Sequence, residues 1–83
     1  MERKQEIFET MKQHLEGRGV EAKLITPEAH LARDLGLDSL DTVELTLGLE
    51  EKYGIEIPDT ELEDLETVSD AVALIDGKVG ASV

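Results

Sequence analysis

Ser39 is the side chain whose surroundings say most about chemistry in this 83-residue sequence. It lies in the run Asp34-Leu35-Gly36-Leu37-Asp38-Ser39-Leu40-Asp41-Thr42-Val43-Glu44-Leu45. A serine hydroxyl is a weak nucleophile unless an adjacent base takes its proton. The nearest histidine, His30, is nine residues upstream in a loop-like stretch. Neither His14 nor His30 has the order or spacing of a Ser-His-Asp arrangement, and both read as surface histidines. Ser39 is therefore expected to be a displayed hydroxyl on which another protein acts.

Other chemistries find little support. Asp34-x-x-x-Asp38 lacks the twelve-residue loop and central glycine of an EF-hand. No dedicated metal site is expected, only weak, diffuse divalent binding near Asp38, Glu50 or the acidic run 59–66. Gly36 and Gly48 are isolated, so there is no glycine-rich phosphate loop. The chain has no cysteine, which removes disulfides and cysteine-ligated zinc. That composition fits a reducing, cytoplasmic setting. No apolar run is long enough to span a bilayer. The charged start, Met1-Glu2-Arg3-Lys4-Gln5-Glu6, has no apolar stretch behind it and does not read as a secretory signal.

Net charge is −12, and it is concentrated. Residues 1–33 carry six acidic and six basic side chains, whereas residues 34–76 carry fourteen acidic side chains against Lys52 alone. A one-sign field over half of a small domain repels nucleic acid and anionic lipid. It attracts basic protein surfaces and speeds encounter with them, although charge alone reads first as a solvated, solubilising face.

The elements that must position Ser39 read as helices throughout. A first helix is expected over about Arg3 to Glu16, with Ile7, Phe8, Met11 and Leu15 on one face and Gly17 and Gly19 ending it. A long connection, about Arg18 to Leu37, is interrupted by Pro27 and pinned to the core by Leu24, Ile25, Leu31, Leu35 and Leu37. Asp38 is a good N-cap for a second helix over about Ser39 to Tyr53, with Asp41 in its first turn and Gly54 past its end. Ile55-Glu56-Ile57-Pro58 alternates and reads as an extended connector with Ile55 and Ile57 buried, and Asp59 to Leu65 reads as one short helical segment. Thr67, with Asp70 at capping-box spacing, opens a last helix to about Asp76 that Gly77 stops. Residues 1–2 and 78–83 are expected to be frayed ends of a single domain spanning 1–83.

The second helix carries two apolar stripes. Leu45, Leu49 and Tyr53 form one; Leu40, Val43 and Leu47 form another on roughly the opposite side, edged by Glu44 and Glu51. A helix needs one stripe to face its own core. The second, rimmed by acids, reads as a partner-facing surface made of Leu40, Asp41, Val43, Glu44, Leu47 and Glu51, the alternative being a central helix buried on both sides.

The run around Ser39, with Leu-Glu-Glu-Lys-Tyr-Gly-Ile-Glu-Ile-Pro-Asp after it and Thr-Val-Ser-Asp-Ala-Val further on, closely resembles the acyl carrier proteins. The resemblance extends from about Leu31 to Asp76. It implies an all-α fold: a small antiparallel helical bundle of three main helices and one short one, with a long first connection. It implies a 4′-phosphopantetheine arm, taken from coenzyme A and attached to Ser39 between Asp38 and Leu40. It further implies a monomeric, non-enzymatic carrier of acyl thioesters in fatty-acid, lipid or polyketide biosynthesis. Its partners would be a phosphopantetheinyl transferase and acyl-processing enzymes with basic docking surfaces, with neither nucleic acid nor membrane among them. An acyl chain would be sheltered between the second and last helices by Val43, Leu49, Leu65, Ala71 and Ile75. The competing readings are an aminoacyl or peptidyl carrier and an unmodified acidic adaptor. The Gly-Gly-x-Ser approach usual in peptidyl carriers is absent.

Overall fold

Four helices are built in chain order in the structure, a computed structural model that describes residues 2–82. They are α1 (Arg3–Gly17), α2 (Ser39–Tyr53), α3 (Asp59–Leu62) and α4 (Val68–Ser82), with a single 3₁₀ turn, Ala22–Leu24, in the first connection. α1 packs against both α4 and α2. The bundle is held by aliphatic side chains: Ile7, Met11 and Leu15 from α1, Leu45 and Leu49 from α2, and Val68, Ala71, Val72 and Ile75 from α4 are buried. Burial of such side chains is the main favourable contribution to folding.

The helix ends follow from their sequences. At the end of α1, Val20 N–H donates to the Leu15 carbonyl and Gly19 N–H to that of Glu16. Gly19 has φ +96. This is a Schellman-type stop, which needs the left-handed conformation that glycine adopts freely. α2 stops in a similar way, with Gly54 left-handed and Ile55 N–H donating to the Glu50 carbonyl. α4 opens on a reciprocal pair: Asp70 N–H donates to Thr67 Oγ1 at 3.2 Å, and Thr67 N–H to Asp70 Oδ2 at 3.1 Å. Aspartate here fills the place that glutamate usually takes in a capping box.

Three expectations are corrected. α4 does not stop at Gly77 but continues through it and Gly80 to Ser82, so the stretch from Lys78 to Ser82, expected to fray, is helical. Tertiary contacts override the low helix propensity of glycine: Val79 packs on the core, Arg3 pairs with Asp76 at 2.5 Å, and Lys78 Nζ reaches Glu61 Oε2 at 2.9 Å. The ends Met1 and Val83 of the same expectation lie outside the described residues. Leu24 does not pin the first connection; it is 43% exposed, while Ile25, Leu31, Leu35 and Leu37 are buried. The short third helix covers only Asp59–Leu62, with turns after it.

The first connection is bound to the start of α4 by backbone. Leu31 N–H donates to the Glu66 carbonyl, Val68 N–H to Ala29 and Ser69 N–H to Pro27. These bonds satisfy polar groups of a loop that is half buried by its own leucines. The connection thereby forms a wall alongside the N-terminus of α2.

Candidate functional site

Ser39 is the first residue of α2, and its orientation is set by the residue before it. Asp38 is extended and accepts the Asp41 N–H at 2.8 Å, while Asp41 Oδ2 accepts the Asp38 N–H at 3.2 Å. Thr42 Oγ1 also donates to the Asp38 carbonyl. The start of α2 is thus fixed on both sides of the serine. Ser39 itself is exposed. Removing the carboxylate in Asp38→Ala is expected to destabilise the fold by about 1 kcal/mol in urea unfolding, with Asp38→Asn retaining most of the stability. If Asp38→Ala unfolds like wild type, the cap is not stabilising.

Among the described residues, no base is positioned to activate the hydroxyl. His30 lines the same groove as Ser39, but its Nδ1 accepts the backbone N–H groups of Ala32 and Arg33, each at 3.1 Å. The backbone N–H of His30 donates to Asp34 Oδ2 at 2.7 Å. His30 is a structural residue of the turn 30–35, a role that its isolated position in the sequence does not signal.

A groove of about 430 Å³ opens beside Ser39. Its walls are the first connection through Leu31 and Leu37, α2 through Thr42 and Val43, and the α3 region through Leu62 and Leu65. Of the residues expected to shelter cargo, Val43 and Leu65 lie on this groove. Leu49, Ala71 and Ile75 do not line it; they are buried in the core. The cavity next to the serine therefore lies between α2, the first connection and α3, and not between α2 and α4.

The exposed face of α2 carries Leu40 and Leu47, 65% and 55% exposed, with Glu44 and Glu51 also exposed and Asp41 and Val43 half-buried. Leu45 and Leu49 face the core, joined by Thr46, whose hydroxyl donates to the Val43 carbonyl. Gly48 lets α1 and α2 approach, since a Cβ there would lie 3.0 Å from the His14 ring.

Arg18 is the site residue that sequence reasoning misses. It is the C-cap of α1, and its guanidinium spans the gap to α2, donating from Nη1 to Glu44 and from Nη2 to Asp41. The Asp38 N–H first, and then Arg18, hold the Asp41 carboxyl below the usual carboxylate range. Hydrogen bonds to Glu44 and Asp41 in turn raise Arg18 above its ordinary value. No local pattern couples residues so far apart in sequence.

Among the described residues, no helix is long and apolar enough to cross a membrane. A family model described as the phosphopantetheine attachment site matches residues 13–75. The crystal structure of an acyl carrier protein from Thermotoga maritima superposes with a TM-score of 0.82 at 25% identity, covering 100% of this chain and 96% of that one. An exposed serine with no activating base, opening a capped helix beside a groove, is a fitting place for such an arm. With that match spanning most of its length, the chain belongs to the phosphopantetheine-attachment family, as an acyl carrier protein whose prosthetic group is 4′-phosphopantetheine and which is not itself an enzyme.

Proposed function

We propose that Ser39 is the attachment residue, and that the chain ferries acyl groups between cytoplasmic enzymes of fatty-acid, lipid or polyketide biosynthesis. The observation that carries this reading is the exposed Ser39 at the first position of α2, fixed by the Asp38–Asp41 capping box and open to the neighbouring groove. When attached, the arm supplies the thiol that a cysteine-free chain lacks, and so the means to hold an acyl group as a thioester. The chain's residues do the rest. Asp38 and Asp41 hold the serine at the helix start. Leu40 and Leu47 offer apolar contact, and the acids around them attract a basic partner surface. Because the Nδ1 of His30 is committed to backbone, the base that takes the Ser39 proton comes from the transferase.

Incubation with coenzyme A and a broad-specificity phosphopantetheinyl transferase tests the assignment. The intact mass should rise by one arm, and peptide mapping should place it on the fragment containing Ser39. A wild-type chain left unmodified under conditions that convert a known carrier would remove the proposal.

Cargo would enter the groove between Val43 and Leu65 before reaching the core residues Leu49, Ala71 and Ile75. Burial is worth about 0.8 kcal/mol per CH₂, and a group that associates only with the folded state stabilises it. Melting temperature is therefore expected to climb with acyl length to about eight carbons and then level off, because further methylenes would have to displace the close-packed core. Acyl forms that melt together would show that the cargo stays in solvent.

A further inference from the structure

The acidic face of α2 is not free to act as one uniform charge. Its N-terminal acids, Asp41 and Glu44, are both engaged by the same guanidinium, from the residue that caps the end of α1. Arg18 is held for this task. The Schellman-type stop of α1 fixes its backbone between Leu15 and Val20, and Gly19 turns the chain away immediately after it. A planar, permanently charged fork reaching two carboxylates is a more demanding competitor than a lysine would be. Further along α2, Glu51 is exposed and has no ion pair among the described residues.

We infer that Arg18 is an internal competitor for the partner surface of α2: it occupies Asp41 and Glu44 in the free protein, and a basic partner must displace it to use them. The inference rests on the proposed docking role of this face. The first attraction then falls on Glu51 and the apolar pair Leu40 and Leu47. Only a partner whose own cation can replace the fork gains the two acids nearest Ser39. This makes Arg18 a specificity-determining residue: it penalises weakly basic partners and leaves strongly basic ones able to dock.

The test is the rate of Ser39 loading by a phosphopantetheinyl transferase, read as kcat/KM for the carrier. Arg18→Gln removes the competing charge and keeps a polar side chain of similar reach. Its kcat/KM at low ionic strength should rise by about threefold or more, as expected when two acids are freed to steer a basic surface. At about 1 M salt, where the Debye length is about 3 Å, the difference from wild type should vanish. Glu44→Gln should slow loading more in the Arg18→Gln background than in the wild-type background, because only there is Glu44 unoccupied. Circular dichroism and melting temperature check that each variant is folded. An Arg18→Gln variant that is folded and loads at the wild-type rate, or more slowly, overturns the inference. A slower rate would mean that Arg18 itself contacts the partner. Failure of wild type to load at all would instead reject the Ser39 attachment from which the docking role of this face is argued.

Discussion

Ser39→Ala is expected to gain no mass on incubation with coenzyme A and a phosphopantetheinyl transferase, under conditions that add one arm to every wild-type molecule. With Ser39 as the proposed attachment residue the effect is all-or-none, because the substitution deletes the oxygen that would form the new bond to phosphorus. Stability should hardly change. Ser39 is exposed, its hydroxyl has no hydrogen-bond partner among the described residues, and the capping box that starts α2 uses Asp38 and Asp41. Surface substitutions of this type usually stay within about 0.5 kcal/mol, and alanine favours a helix slightly more than serine does. The pair of readings, mass and urea midpoint, separates loss of the attachment point from loss of fold. An alanine variant that still acquires an arm would move the site to another hydroxyl.

The second large effect concerns the core-facing stripe of the same helix. Leu49→Ala should destabilise the protein by about 3 kcal/mol, because Leu49 is 0% exposed and its deletion leaves a cavity in an aliphatic core. Native domains have only roughly 0.05–0.15 kcal/mol of stability per residue, so this is a large share of what an 83-residue chain holds. Leu47→Ala, two positions away on the 55% exposed side, should cost less than about 0.5 kcal/mol. Chemical unfolding of the two variants side by side checks the assignment of the two stripes. Similar midpoints would mean that α2 is rotated from the placement described.

The two-stripe reading of α2 was available from sequence because a helix repeats every 3.6 residues, and leucines at positions 45 and 49 cannot share a face with those at 40 and 47. The start of α2 was equally legible, since Asp38 before an apolar-periodic run is a local signal with a local physical cause. The buried Ile55 and Ile57 of the connector followed from strict alternation. What local patterns cannot carry is competition between distant groups. Gly77 reads as a stop because an isolated helix ends there readily, yet Val79 on the core and Lys78 against Glu61 hold α4 through it. Nothing in the local sequence marks Arg18 at the start of the first connection, and only the meeting of α1 with α2 brings it to Asp41 and Glu44. The location of the groove was likewise out of reach. Periodicity reports which side chains face inward, whereas a groove depends on where the first connection runs, and three backbone bonds to the region around α4 decide that.

Those three bonds, from Leu31 to Glu66, Val68 to Ala29 and Ser69 to Pro27, also bear on how fast the chain reaches its native state. Helical bundles fold quickly because most of their contacts are local, and a helix can form before anything distant is in place. Here the wall beside Ser39 cannot be completed that way. Its donors and acceptors lie on either side of α2 and α3 in the sequence, so the loop-closure entropy of that whole stretch must be overcome before any of the three bonds can form. The helices would form early and the first connection late. The surroundings of the serine, rather than the helix that presents it, would then be the last part of the molecule to become ordered.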